Sequence, residues 1–348
     1  MRYLSVVGTR PQYIKLSAMH NAFEKFKLDH SYIDTGQHYS KSMSENVTSE
    51  LKMPTPILNL GVGQETSLEQ ISLIISNLDR ELDRLNPEIV LVYGDTNSTL
   101  AATISAVKKG IKVAHIEAGL RSFDRSMPEE QNRLVCDHLS DYLFAPTSHS
   151  MKNLADENLA SRSFLVGDVM YDMFKASKVK PDADFLTIDV KKGEYFVLTL
   201  HRPSNTDSFE RLFGIFRAIS RLEKNVILFI HPRLNKMILE FDIQLPANVL
   251  LHEPVDHGSM MSWISGSAGL ITDSGGLQKE AYFLGVLCST LRNETEWVET
   301  LEANWNILVK DLNDLPSIVN RRKEGQTGKA FGDGFACEKI ISYLEAKL

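Results

Sequence analysis

Cysteine is scarce: Cys136, Cys288 and Cys337 are the only three in 348 residues. They are odd in number and far apart. That pattern matches neither the paired spacing of a zinc site nor the density of a disulfide scaffold, and it fits a reducing cytoplasm. Long apolar runs are also missing. The apolar start of "MRYLSVVGTRPQ" is too short for a signal segment and runs straight into Gly-Thr-Arg-Pro, so neither export nor membrane anchoring is expected. There is no excess of positive charge. A formal net charge of -7 gives no general attraction to nucleic acid or anionic lipid, although a local basic pocket can still hold a phosphorylated small molecule. Gly-x-Gly-x-x-Gly and a Walker-type Gly-Lys-Ser/Thr are absent, which argues against dinucleotide redox chemistry and nucleotide triphosphate hydrolysis.

What is present describes a globular α/β protein. Hydrophobic residues make up 43% and charged residues 24%, and the chain is long for a single core, so two domains are expected. Short β-branched runs alternate with segments of helical period: "YLSVV", "SYIDT", "EIVLVY", "KVAHIE", "DYLFAP" and "SFLVG" in the first half, then "YFVLTL", "NVILFI", "NVLLHE", "AGLITD", "LCSTL" and "NILV" in the second. Between them, "TSLEQISLIISNLDREL" places Leu68, Ile71, Ile75, Leu78 and Leu82 on one helical face behind a capping box of Thr66 and Glu69. Strands separated by helices mean βαβ units and parallel sheets. The polar stretch "GDVMYDMFKASKVKPDADF" reads as the connection between two Rossmann-like domains, 1–168 and 169–334, facing each other across a cleft. In such sheets ligands bind beyond the carboxyl ends of the strands.

Charged residues gather at those ends. The first strand runs into Gly8-Thr9-Arg10-Pro11, with Pro11 at the first helical position and Arg10 and Lys15 at and just inside a helix N-terminus. The helix dipole disfavours cations there, which suggests an anionic ligand. Asp95 and Glu117 end neighbouring strands, with Glu129 and Glu130 following in "MPEEQNR". A carboxylate at the end of a buried strand is either a structural ion pair or chemistry. Two such acids side by side favour chemistry, because mutual repulsion can tune one of them toward neutrality. With Glu129 and Glu130 they make one converging acid group. His115 and Glu117 lack a third ligand of convincing spacing, so no metal is expected.

The second half carries "TLHRPSN", with His201 at a strand end, and "ITDSGGLQKEAYFLG". In the latter Ser274, Gly275 and Gly276 let the backbone and a helix N-terminus approach a diphosphate, and Glu280 on the first turn can accept from a ribose diol. Arg292 in "LRNETEW" closes the set. Together these residues describe a nucleoside diphosphate compound held by the second half, its other end presented to carboxylates of the first.

Taken jointly, "GTRPQYIK", "VYGDTNSTLAA", "HIEAGLRS", "MPEEQNR", "TLHRPSN", "IHPR" and "TDSGGLQKEA" resemble the UDP-N-acetylglucosamine 2-epimerase family in order and spacing over nearly the whole chain. The resemblance implies a GT-B-like fold, a homodimer, and a final segment 335–348 that packs back toward the first domain. It also implies inversion at C2 of UDP-GlcNAc to UDP-ManNAc without metal or other cofactor, through loss of UDP to a bound 2-acetamidoglucal and its re-addition. Asp95, Glu117 and Glu129 match the family's catalytic acids and bases, so Glu117 and Glu129 are expected to arrive in one cleft, joined by "GLRSFDRSMP", with Arg133 and Arg121 as the cations that place them and Asp124, Arg125 and Glu130 in solvent. Arg10, Lys15 and His201 match its substrate contacts, Ser274, Gly275 and Gly276 its phosphate loop, and Glu280 its ribose contact. Gln12 stands where many bacterial members have Glu, and Trp297 where they have Arg, so one cation is missing. "TGQHYSKSM" differs from the segment that binds an activating second UDP-sugar in those members. These departures resemble archaeal members and epimerases of UDP-diacetamido uronic acids; a hydrolysing 2-epimerase is a further alternative.

Overall fold

A computed structural model describes residues 2–37, 51, 53–63, 65–176 and 190–347. The chain divides into two compact units, one of Met1–Ala176 with Lys329–Leu348 and one of Ser177–Gly328.

The first unit is built on a parallel sheet of seven strands: β1 (Tyr3–Val7), β2 (His30–Asp34), β3 (Leu58–Asn59), β4 (Ile89–Tyr93), β5 (Lys112–Ile116), β6 (Tyr142–Ala145) and β7 (Ser163–Leu165), ordered β3-β2-β1-β4-β5-β6-β7. Every residue of "YLSVV" and "IVLVY" is buried, because helices cover both faces of the sheet and an alternating pattern would leave polar groups in the core. Strand order reverses between β1 and β4, so the loops after these strands frame the crevice where such folds hold ligands. The two-residue β3 carries too little pattern to be legible in the sequence.

The helix Ser67–Leu85 begins with the expected capping box, Glu69 N donating to Thr66 Oγ1 at 3.4 Å and Thr66 N to Glu69 Oε2 at 3.1 Å. Its buried stripe is Ile74, Leu78 and Leu82, however, with Leu68 at 77% exposure and Ile71 and Ile75 only partly covered. The first turn therefore overhangs the core edge, and the packed face is rotated from the one expected.

The terminal helix Ala336–Glu345 belongs to the first unit. Ala336, Cys337, Ile340, Ile341 and Leu344 share one core with Tyr13, Leu16, Met19 and Phe23 of the helix Arg10–Phe26. Tyr3 hydrogen-bonds Glu345, Lys25 pairs with Glu338 at 2.5 Å, and Asp172 caps the helix by accepting from Ala336 N and Cys337 N at 3.1 and 2.8 Å. Each fully buried aliphatic side chain of this kind contributes about 1.5–3 kcal/mol. Residues 169–176 and 329–334 also pack with the first unit, which differs from a boundary at 168. Val169 is buried in the same core, and Asp168 N donates to Phe331 O at 3.0 Å.

The second unit repeats the topology with six parallel strands, β8 (Tyr195–Thr199), β9 (Asn225–Phe229), β10 (Val249–His252), β11 (Gly269–Thr272), β12 (Cys288–Thr290) and β13 (Asn306–Leu308), ordered β10-β9-β8-β11-β12-β13. Its reversal point lies between β8 and β11, which carry His201 and Ser274 just beyond their ends.

Candidate functional site

In the first unit, Thr9 caps the helix that Arg10 opens, so Pro11 stands second and not first. Lys15 lies a full turn further in and is 95% buried. Its Nζ meets Glu117 Oε1 at 2.5 Å, so this cation answers a carboxylate of its own unit and not only an external anion. Glu117 follows β5 at φ 73°, a left-handed conformation that a non-glycine residue holds only where its surroundings impose it. Glu117 N and Ala118 N both donate to Phe144 O at 3.1 Å, which fixes that bend. Gly94 completes the corner: a β-carbon there would stand 3.1 Å from Lys15 Nζ and 3.4 Å from Glu117 Oε1.

Asp95, one residue on, pairs with Arg133 at 2.5 Å and is held through its carbonyl by Asn132 Nδ2 at 2.8 Å. Asp95 and Glu117 each have a cation, so their mutual repulsion does not stand alone. Arg133 also pairs at 2.7 Å with Glu130, which is 99% buried. Glu130 was expected in solvent; instead its carboxylate accepts from Ser122 N and Phe123 N, both at 2.9 Å, and ties the loop after β5 to the helix Pro128–Leu139. Burial opposes its ionisation, but these N–H groups and Arg133 outweigh it and hold Glu130 below the usual carboxylate range. Glu129 is exposed at the start of that helix. Asp124 caps Ser126 N at 2.9 Å, and Arg125 is exposed.

Arg121 does not serve these acids. It is buried against Asp137 at 2.7 Å and makes two 2.7 Å bonds to Glu157. Asp137 also accepts from Gly119 N at 3.0 Å and meets His115 Nδ1 at 2.7 Å, while His115 Nε2 meets Gly94 O at 2.7 Å. The network thereby spans from behind the loop after β5 to the end of β4. Burial raises Asp137, but His115 and Arg121 more than offset it and hold it low. Both His115 nitrogens are thus occupied by protein.

Gln12 has a role that a glutamate cannot fill. Its Oε1 accepts from Gly8 N and Thr9 N at 2.8 and 3.1 Å, while Nε2 donates to Tyr93 O and Thr99 Oγ1 at 2.8 and 2.9 Å. The amide ties the loop after β1 to the end of β4. Of the segment "TGQHYSKSM", residues 38–43 lie outside the described residues.

In the second unit, Asp273 is fully buried after β11 and accepts from His201 N and Arg202 N, with His201 Nδ1 at 2.7 Å. Burial opposes the charge on Asp273, but His201, Arg202 and Asn205 outweigh it and depress its pKa. The His201 ring is 47% exposed, and among the described residues its Nε2 has no partner, so Asp273 orients the imidazole through Nδ1 alone. Ser274 caps the helix Gly275–Leu284, whose first N–H groups have no acceptor within the helix. A β-carbon on Gly275 would fall 2.5 Å from Glu296 Oε1 and 3.8 Å from Arg292 Nη1, whereas one on Gly276 would meet nothing within 4 Å. Arg292 is 94% buried, pairs with Glu296 at 2.9 Å, and has no hydrogen-bond partner for Nη1 among the described residues.

Glu280 stands on the second turn of that helix, not the first, and meets His257 Nε2 at 2.7 Å. Trp297, where a cation was counted as missing, has one above it: Lys279 Nζ lies 3.6 Å from its ring centroid, and both are buried. Asp273, Lys279 and Glu130 escaped the sequence reading as placing residues. The signal for Asp273 was its position immediately before Ser274, at the end of a buried strand.

The UDP-N-acetylglucosamine 2-epimerase family model matches residues 21–345. A UDP-N-acetylglucosamine 2-epimerase homolog of Methanococcus maripaludis is 40% identical over 99% of both chains. A UDP-2,3-diacetamido-2,3-dideoxy-D-glucuronate 2-epimerase of Pseudomonas aeruginosa is 38% identical over the full length of both. The crystal structure of the Methanocaldococcus jannaschii UDP-GlcNAc 2-epimerase in complex with UDP-GlcNAc and UDP superposes with a TM-score of 0.90 at 38% identity, covering 99% of this chain and 100% of that one. With paired Rossmann-like sheets of the GT-B kind and this likeness along its whole length, the chain belongs to the UDP-N-acetylglucosamine 2-epimerase family.

Proposed function

We propose that this protein reversibly inverts C2 of a UDP-N-acetylhexosamine, interconverting UDP-GlcNAc and UDP-ManNAc. The observation that carries the reading is the buried Lys15–Glu117 pair beside the Asp95–Arg133 pair, at the point where the first sheet reverses its strand order. A C2–H with no adjacent carbonyl is a weak acid, so a placed base must act while the diphosphate leaves C1. One carboxylate among Asp95, Glu117 and Glu129 takes the C2 proton as the C1–O bond breaks, forming UDP and a 2-acetamidoglucal. A proton is then delivered to the opposite face of C2 and UDP re-adds at C1. Arg10, Lys15, His201 and Arg292 stabilise the departing diphosphate; Ser274, Gly275 and Gly276 hold it through backbone N–H groups, and Glu280 accepts from the ribose. Arg133 and Glu130 set the place of Asp95.

The test is incubation with UDP-GlcNAc in heavy water, followed by proton NMR at C2. Formation of the C2 epimer with deuterium at C2 supports the reading; retention of both configuration and protium sinks it for this substrate. A second reading, a UDP-diacetamido uronate as substrate, is favoured by the full-length likeness to the Pseudomonas enzyme, and C2 exchange with that sugar alone would select it. The working form on this proposal is a homodimer, which sedimentation velocity measures.

A further inference from the structure

The second unit has a cavity of about 480 Å³ on the helix Phe209–Ile219, lined by Arg211, Arg217, Arg221 and Lys310 with one acid, Asp311, and by none of Ser274, Gly275 and Gly276; Arg211 is linked through Asn205 to Asp273. Gly214 and Ala218 lie one and two turns along from Arg211, and their small side chains open the groove between this helix and Leu312. A β-carbon on Gly214 would stand 3.2 Å from Leu312 Cδ1. Among the described residues none of the four cations has a carboxylate within ion-pair distance. Arg211 Nε donates to the neutral Asn205 Oδ1 at 3.0 Å, and Arg221 Nη1 to Asn313 Oδ1 at 3.2 Å. Asp311 is engaged in capping, accepting from Asn313 N at 2.8 Å.

Arg217, Arg221 and Lys310 are solvent-exposed and Arg211 is half-buried; in a chain with 45 acidic residues against 38 basic ones, the feature to explain is that the four gather around one groove with no carboxylate paired to them. The helix dipole accounts for Arg217 in the last turn and for Arg221 beyond it, but not for Arg211, which stands in the first turn, where a cation opposes the dipole. Burial also lowers the Arg211 pKa, so this charge is held at a cost. Arginine forks suit phosphate oxygens, and a groove of this volume accommodates a small molecule.

We propose that this cavity is a second anion site, which takes a phosphate-bearing small molecule of diphosphate size or larger. The site does not depend on the epimerase reading. Inorganic pyrophosphate is the probe, titrated calorimetrically at low ionic strength into the full chain and into R217E/R221E, with K310E as a second variant should the first fail to fold. Hydrogen–deuterium exchange locates the binding. The expected result is protection of 211–221 and 310–313 by pyrophosphate, and affinity weakened roughly tenfold or more by charge reversal. Protection confined to 274–284, or affinity indifferent to either reversal, overturns the proposal. Tighter binding of a single-stranded oligonucleotide, with the same sensitivity to reversal, overturns the small-molecule class.

Discussion

Lys15 Nζ lies 2.5 Å from Glu117 Oε1, with the two side chains 6% and 8% exposed. At such burial neither charge keeps its water, and each is tolerable mainly because of the other. The pair is therefore a structural unit as well as a candidate catalytic one, and its two roles separate on mutation.

Replacing Lys15 by Met leaves Glu117 buried with less compensation and should lower stability by about 3–5 kcal/mol. The double variant K15M/E117Q should recover part of that loss, because the neutral amide no longer needs a cation. E117Q alone should bind UDP while losing C2 exchange by about 100-fold or more. Thermal melts with UDP titration check both. Additive losses, with the double variant destabilised by the sum of K15M and E117Q, would show that the pair is not energetically coupled.

Glu130 touches no proposed reacting atom, yet it holds Ser122 N, Phe123 N and Arg133. E130A should cut kcat about tenfold or more while changing KM less than threefold, because Asp95 loses its placed partner and not the substrate its contacts. E130Q, which can still accept from an N–H, should recover part of kcat. A KM effect as large as that on kcat would argue instead for general disorder of the loop.

The two phosphate-loop glycines should respond differently. A methyl at Gly275 collides with Glu296 Oε1 at 2.5 Å, so G275A should lower both stability and UDP affinity. A methyl at Gly276 meets no protein atom within 4 Å, so G276A should melt like the wild type. If the diphosphate lies where we propose, G276A should still weaken UDP about tenfold. Unchanged UDP affinity in G276A would move the diphosphate elsewhere.

His30 gives the first unit an acid-labile point. Its ring stacks on Phe23 at 4.3 Å between centroids, and burial, with nearby His20, lowers its pKa to about 3. The folded state therefore binds fewer protons than the unfolded chain between that value and the ordinary 6.5. Stability from this group is present near neutrality and is lost as pH falls through that window. Between pH 7.5 and 5 the loss should be about 2 kcal/mol. Denaturant unfolding at both pH values should show a smaller difference in H30N.

The strands and the residues just beyond them were readable from sequence because β-branched runs bounded by polar turns have few alternatives. Asp95, Glu117, His201 and Ser274 stood out because a polar group ending an apolar run has no local partner. Partners themselves are nonlocal. Lys15 and Glu117 are 102 residues apart, and Glu130, which neighbours Glu129, differs from it only in which side of one helix is buried. Arg121 looked like a cation for the cleft because charge can be counted in a sequence but its direction cannot.

Two parallel α/β halves and the family were already legible in the chain's one-dimensional pattern. These follow from local periodicity and from motifs whose spacing survives in one dimension. Which charge answers which emerges with packing: Lys15 with Glu117, Arg133 with Asp95 and Glu130, Arg121 with Asp137, and Lys279 over Trp297. Such pairs form where burial removes water, and burial is a property of the packed core that no single segment carries.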